Sequence, residues 1–390
     1  MQPINIAIVR GDSLKKQETQ VFEQFDKEKF NITACCGLKN IPSLEGVSLP
    51  VKRLRSSADT FVGKNFYKYL FGRYNMLFGL ENELRAYDIA HTVELYNYYT
   101  LQAVRAKRLN TKLKVVTTVV DNTFGRFEYN YWPRFRMPPA YWREKINGIM
   151  QESIRGIDAF LAISSYSAEL IRDLGAPQNK ITIIPEGFVL PPVKKADGLI
   201  KKYGLEGASF YLSISRQVWE KGVYDVLYSW KMYQHSSPKA AQQILVMVGD
   251  GPEYANIDRL IKEFNLKANV KHIKTIPYED LQQLYPHARA LLLGSTPTRT
   301  WQEQYGYVLA EAIMHGCPVI STISGAIPEV IENAGILVPP ANPVAIKDAL
   351  LTIENAEKYQ KLKEHCQQVK EKFSGDLYKE RLIKAYFSVV

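Results

Sequence analysis

The feature that most constrains this chain is an alternation. Short apolar runs rich in β-branched residues are separated, again and again, by longer stretches with the roughly 3.6-residue period of a helix. That is the pattern of βα units, whose strands lie parallel in one sheet with helices on its faces. In the first half, strands are expected at Ile4–Val9, around Ile32–Cys35, and at Ile89–Val93, Val115–Val120, Ala159–Ile163 and Ile181–Ile184. A second series follows at Phe210–Ile214, Ile244–Val248, Val270–Ile273, Ala290–Leu293, Val319–Ser321 and Gly335–Val338. Between the series stands Leu190-Pro191-Pro192-Val193-Lys194-Lys195, and consecutive prolines suit neither a helix nor a central strand. At 390 residues the chain is long enough for two cores. We therefore expect an α/β protein with domains at residues 1–192 and 193–375. A last helix over about 376–390, introduced by Ser374-Gly375-Asp376, is expected to pack back on the first domain.

No apolar run approaches the roughly 20 residues that span a bilayer, and Ile4–Val9 follows the first residues without the basic start and long apolar core of a leader. The cytoplasm is the expected compartment. Cys35 and Cys36 are adjacent while Cys317 and Cys366 are far away, which fits neither a zinc site nor a disulfide framework. The net charge of +10 favours anionic partners, among them nucleotides, phosphorylated lipids, acidic membrane surfaces and nucleic acid, and does not choose among them.

The motifs narrow the choice. Trp301-Gln302-Glu303-Gln304-Tyr305-Gly306-Tyr307-Val308-Leu309-Ala310-Glu311-Ala312 places two glutamates on either side of a glycine at a loop-to-helix junction. A helix starting near Gly306 offers backbone N–H groups and the positive end of its dipole to an anion. Glu303 could accept hydrogen bonds from sugar hydroxyls, and Glu311 could take a pair of ribose hydroxyls on its two oxygens. Solvated surface carboxylates are the commoner fate of a glutamate pair. In Phe210–Lys221 a strand runs into Arg216, and a short loop supplies Lys221 ahead of Gly222. Two cations on the rim of a parallel sheet could neutralise a departing diphosphate. Val248-Gly249-Asp250-Gly251 is a third strand-to-glycine turn on the same rim.

Together these segments resemble family 4 of the retaining glycosyltransferases. The spaced glutamates, with Gly306 and Gly316-Cys317-Pro318-Val319, are similar to that family's donor-site motif, and Arg216 with Lys221 to its phosphate-binding pair. Ser324-Gly325-Ala326-Ile327-Pro328-Glu329 and Gly335-Ile336-Leu337-Val338 extend the likeness through the second half; in the first it rests on Gly156–Ala159, Ser164–Ser167 and Ile184–Gly187. The resemblance implies the GT-B fold: two Rossmann-like domains facing across a cleft, the first binding acceptor and the second the donor. It implies transfer of a hexose from a nucleoside diphosphate sugar, UDP and glucose being frequent in the family, to a glycan or polyprenyl-diphosphate-linked glycan in cell-surface polysaccharide synthesis. The candidate catalytic residues are Glu303, Arg216, Lys221 and Asp121, and the implied donor-binding residues are Arg216, Lys221, Gly249, Gln304, Tyr305, Gly306, Tyr307, Val308 and Glu311.

Three departures from the family stand out. Where many members carry histidine, this chain reads Thr117-Thr118-Val119-Val120-Asp121-Asn122, so that Asp121 is either the sugar-side group or a helix cap. Glu186 replaces the usual asparagine in Pro185-Glu186-Gly187. The first loop reads Gly11–Thr19 in place of a double glycine, and Gln17, Glu18 and Thr19 either face acceptor or open a helix. The chain contains no Asp-x-Asp, and its six histidines have no metal-ligand spacing, so no cofactor and no metal are expected. Lys64–Tyr74 and Arg126–Lys145 mix aromatics with cations, the latter with seven aromatics and five cations against two acids. Such stretches suit peripheral contact with the inner face of a membrane, and also sugar stacking or single-stranded RNA. A non-catalytic nucleotide or RNA-binding protein is the rival from another class; the set Arg216, Lys221, Glu303 and Glu311 has no role in RNA binding, and no nucleic-acid partner is expected. A nucleotide-sugar epimerase on the same fold is the nearest rival enzyme; it would need acid and base groups at the sugar, for which Asp121, Glu186 and Glu18 are the candidates.

Overall fold

The computed structural model describes residues 2–39, 44–63, 66–67, 75–123, 139–192 and 197–390. Residues 193–195 of the proline segment, residues 126–138 of the second aromatic stretch, and all of Lys64–Tyr74 except Phe66 and Tyr67 lie outside them. The chain forms two compact units, Met1–Val189 with Gly375–Val390, and Leu190–Ser374.

Among the described residues the first unit holds a seven-stranded sheet, ordered β3-β2-β1-β4-β5-β6-β7 with every pairing parallel. Its strands are β1 (Ile4–Val9), β2 (Phe30–Gly37), β3 (Val51–Leu54), β4 (Ile89–Val93), β5 (Lys114–Val119), β6 (Ala159–Ala162) and β7 (Ile181–Ile183). Successive side chains on a strand point to opposite faces, and a sheet covered on both sides is apolar throughout. In β1, accordingly, Ala7 and Val9 enter one buried cluster while Ile6 and Ile8 enter another. The first cluster is closed by Tyr99, Ala103 and Ala106 of the helix Tyr98–Ala106 and by Ile146, Met150 and Ile154 of the helix Pro139–Gly156. The second takes Val21 and Phe22 from the helix Lys16–Glu23 and Tyr378, Leu382, Ala385 and Tyr386 from the helix Gly375–Phe387. That last spacing is one helical stripe, which is why the final helix lies flat on the sheet.

The edge strand β3 is absent from the sequence reading. With Lys52 and Arg53 exposed at its centre, Val51–Leu54 carries no apolar run to announce it.

The second unit holds a six-stranded parallel sheet ordered β10-β9-β8-β11-β12-β13. These are β8 (Ser209–Ile214), β9 (Gln243–Val248), β10 (Val270–Ile273), β11 (Leu291–Leu293), β12 (Val319–Thr322) and β13 (Gly335–Val338). Val223, Val226, Leu227, Trp230 and Tyr233 of the helix Val223–Ser236 pack with Tyr211, Leu245, Met247, Leu292 and Ile320 of the strands. In each sheet the strand order reverses beside the first strand, at β1/β4 and at β8/β11, and in open α/β sheets the crevice outside such a reversal is where ligands bind. Among the described residues no helix is long and apolar enough to cross a membrane.

Candidate functional site

In the second unit the loops that leave β8, β9 and β11 meet backbone to backbone, and glycines make that approach feasible. Gly222 has φ +65°, and a Cβ there would lie 1.8 Å from the carbonyl oxygen of Gly294. A Cβ on Gly249 would lie 1.8 Å from the carbonyl oxygen of Ser215. Bonds replace the missing side chains: Gln217 N–H donates to Asp250 O at 2.9 Å and Thr296 N–H to Glu220 O at 2.8 Å.

On this rim, at the β8/β11 reversal, Lys221 Nζ donates to both carboxylate oxygens of Glu303, at 2.9 and 2.7 Å. Ser295 Oγ donates to the same carboxylate at 2.6 Å. The loop is fixed on the other side, where Glu303 N–H donates to Ser324 Oγ at 3.2 Å and Ala326 N–H to Glu303 O at 3.1 Å. Glu303 is only 6% exposed, and a charge so buried requires a partner; Lys221 is that partner. The ammonium also lies 4.8 Å from the centre of the Trp301 ring, an attraction between cation and ring face. Arg216 is on the same loop but exposed, its guanidinium 4.0 Å from Glu220. Three residues beyond Glu303, Gly306 (φ +83°) starts the helix Tyr307–Met314, whose first N–H groups have no partner within the helix. Tyr307, 37% exposed, and the half-buried Val308 stand at that start, and Gln304 is half-buried. Tyr305 is 2% exposed and packs on Tyr307 and Phe373, so it anchors the loop in the core.

Glu311 is not on an open surface. It is buried, Tyr285 Oη donates to it at 3.1 Å, and Tyr278 and Gln282 also hydrogen-bond to it. Burial pushes its carboxyl up to about 7, with those three donors pulling the other way. His315 stacks on Tyr285 with ring centres 5.6 Å apart and bonds Gln282 Oε1 through Nε2 at 2.8 Å, and burial pulls its imidazole down to about 4.

In the first unit the corresponding edge, at β1/β4, is also polar. Arg10 is buried and donates to Val9 O, to His91 O and, at 3.1 Å, to Glu18 Oε2. Glu18 is therefore half of an ion pair. Thr19 does not face an acceptor. It is fully buried inside the helix Lys16–Glu23, and its hydroxyl donates to Lys16 O at 2.9 Å; Gln17, on the same helix, is exposed. Asp121 is buried just beyond β5, and Glu186 is half-buried beyond β7. Glu94, which ends β4, accepts the N–H groups of Val120 and Asp121 on Oε1, both at 2.9 Å. It has φ +64°, a backbone state that costs a non-glycine residue about 1–3 kcal/mol. His91 is structural: it is fully buried, with Nδ1 2.6 Å from Tyr386 Oη and Nε2 2.8 Å from Thr118 Oγ1. Burial and the nearby Arg10 hold its imidazole well below the usual range.

Ser295 and Glu94 are absent from the sequence reading, where Trp301 stands only as the first residue of the donor-site motif. Both Ser295 and Glu94 lie just past a strand on a rim, and that position was the available signal. Among the described residues no three His, Cys, Asp or Glu side chains are grouped to hold a metal ion.

A loop that presents a paired carboxylate and ammonium beside a helix N-terminus can take both hydroxyls and phosphate. A model of Glycosyl transferases group 1 matches residues 197–372, and one of Glycosyltransferase Family 4 matches residues 27–190. The N-acetyl-alpha-D-glucosaminyl L-malate synthase of Bacillus anthracis is 26% identical over 253 residues, 63% of each chain. The O-antigen chain mannosyltransferase B of Escherichia coli is 24% identical over 207 residues, 52% of this chain and 53% of that one. These matches thus span between half and two thirds of the relatives' lengths. Among solved structures, sucrose-phosphate synthase from Thermosynechococcus elongatus superposes with a TM-score of 0.74 at 18% identity, covering 99% of both chains. Anabaena HepE in complex with UDP and glucose superposes at 0.72 and 15% identity, covering 99% of this chain and 100% of that one. With two parallel-sheet Rossmann-like units of the GT-B fold, and with the two family models matching one in each half, the chain belongs to the group 1 glycosyltransferases of family 4.

Proposed function

We propose that this chain transfers a hexosyl group, with retention at the anomeric carbon, from a nucleoside diphosphate sugar to a glycan or polyprenyl-diphosphate-linked glycan in cell-surface polysaccharide synthesis. The observation that carries the reading is the Lys221–Glu303 pair beside the Gly306 helix start. A cation able to meet a departing diphosphate, beside a buried oxygen acceptor able to meet sugar hydroxyls, supports it.

In the reaction the bond from the anomeric carbon to the diphosphate oxygen breaks and a bond to the acceptor oxygen forms. The acceptor proton passes to the departing diphosphate. Arg216 and Lys221 stabilise that leaving group, the Gly249 turn and the N–H groups of Gly306, Tyr307 and Val308 seat it, and Glu303 orients the sugar. Glu311 accepts the ribose hydroxyls from the donor's far end. Catalysis then rests on positioning and electrostatics, with no metal and no strong general base. Asp121 receives a hydroxyl of the transferred sugar, while Gln17, Glu18 and Glu186 line the acceptor side. UDP-glucose is the donor we favour, supported by the UDP and glucose bound to Anabaena HepE. Exposed Phe61, Val62 and Phe66 in the first unit support peripheral contact with a membrane surface, where apolar side chains enter the headgroup layer.

The test is a thermal-shift screen of UDP, GDP, ADP and TDP and their sugar conjugates with EDTA present, on the wild type and on Lys221→Ala. One nucleotide should raise the melting temperature of the wild type and leave Lys221→Ala unmoved. A flat response across the series would remove the donor site from the proposal.

A further inference from the structure

We infer that Glu94 is a positioning residue for the reaction, acting through Asp121; the inference rests on the reading of Asp121 given above. The geometry begins with the strand ladder. β4 and β5 pair from Ile89 against Lys114 to Val93 against Thr118. Glu94 N–H then donates to Thr118 O at 2.9 Å, one residue beyond the named strand. There the chain turns into its left-handed conformation, φ +64°, and the strand stops. The turn leaves β4 with no further main-chain carbonyls for Val120 and Asp121. The side chain of Glu94 takes their place, with Oε1 2.9 Å from each of the two nitrogens. Its own carbonyl oxygen is held by Thr100 Oγ1 at 2.8 Å, so the turn is pinned on both sides.

A buried carboxylate spent on two backbone N–H groups is an unusual way to end a ladder. One side-chain oxygen that accepts two successive backbone N–H groups ties both to the end of β4, and a backbone so held has little freedom. The segment it fixes contains Asp121, and it does so at the β1/β4 reversal where ligands of such sheets bind. Strain of the kind seen at Glu94 persists where surrounding structure over-determines it, and it gathers at functional sites. Glu94 thus sets the direction of the Asp121 carboxyl without touching the substrate.

The experiment measures turnover in water. The probes are UDP-glucose, GDP-mannose, ADP-glucose and TDP-glucose without acceptor, taking whichever the wild type hydrolyses fastest. Water then stands for the acceptor: the anomeric carbon bonds its oxygen, and its proton passes to the departing diphosphate. Glu94→Ala should lower kcat about ten- to hundredfold, as a misplaced group does, and leave KM for the nucleotide sugar unchanged. Glu94→Gln keeps an oxygen able to accept both N–H groups and should recover most of the rate, which a charge effect alone would not do. In an Asp121→Ala background Glu94→Ala should cost nothing more, because its only route to the reaction has been removed. Amide hydrogen exchange at Val120 and Asp121 should quicken in Glu94→Ala and not in Glu94→Gln.

A full additional loss in the Asp121→Ala background overturns the positioning role and leaves the Asp121 reading standing. An Asp121→Ala chain with wild-type kcat overturns the Asp121 reading first. Hydrolysis of none of the four donors overturns both.

Discussion

Glu311 gives the sharpest quantitative prediction. Its carboxyl, ordinarily near 4.5, is pushed up to about 7 by burial. Between those values the folded chain holds a proton on Glu311 that the unfolded chain has released. The folded state therefore binds more protons, and stability falls as pH rises through that window and levels off above it. At about 1.4 kcal/mol per pH unit, ionised Glu311 costs folding roughly 3 kcal/mol once the pH is well above 7. Glu311→Gln removes the titration and keeps both size and hydrogen bonding toward Tyr285. We expect the variant's stability relative to wild type to improve by roughly 2.5 kcal/mol between pH 5 and pH 8. The measurement is urea unfolding at both pH values, followed by the fluorescence of Trp230, which is buried in the same unit. Using the difference between variant and wild type cancels His315 and every other group that titrates alike in both. A difference that stays constant from pH 5 to pH 8 would refute the buried, protonated carboxyl. The same substitution should weaken the nucleotide thermal shift if Glu311 takes ribose hydroxyls.

Three further predictions follow from the contacts. Lys221→Ala strands the Glu303 carboxylate in the interior and should cost about 3 kcal/mol in urea unfolding, most of which Glu303→Gln in the same chain should return. Gly222→Ala forces a side chain into a left-handed backbone 1.8 Å from the Gly294 carbonyl, so a loss of at least about 2 kcal/mol is expected, with loss of the nucleotide thermal shift as the loop carrying Lys221 moves. Because His91 stays neutral when folded, wild type should lose stability relative to His91→Gln as the pH falls below the ordinary 6.5, by up to about 1.4 kcal/mol per pH unit, read by circular dichroism in urea.

Much of this was legible in residues, and the failures have physical causes. Runs such as Ile244–Val248 announce themselves because a strand covered on both faces must be apolar throughout, whereas Val51–Leu54, at an edge with two cations outward, has no such obligation. Glu303 and Lys221 were each recognisable from spacing, but their pairing across 82 residues of chain depends on how β8 and β11 lie side by side. Glu311 was recognisable on its helix, but a periodic pattern does not say that Tyr278 and Tyr285 will close over that turn and bury it. Thr19 follows the second of its two readings: the stretch opens the helix Lys16–Glu23, and the buried hydroxyl serves that helix. Glu94 looked like any charge after a strand. Only its positive φ and the two nitrogens it holds distinguish it.

The return of the chain to its first unit has a consequence for how such a protein is made. A Cβ on Gly375 would lie 2.8 Å from Val189 Cγ2 and 3.0 Å from Phe188 O, so the chain leaves the first unit and re-enters it at a single place. Residues 190–374 are in that sense a cassette inserted into one continuous domain, with entry and exit side by side. Such a cassette can be cut out, and the gap bridged by a linker of a few residues. During synthesis the same layout imposes an order. The cluster that needs Tyr378, Leu382 and Tyr386 stays open until the whole cassette has been translated, so the domain that begins first is the one that finishes last.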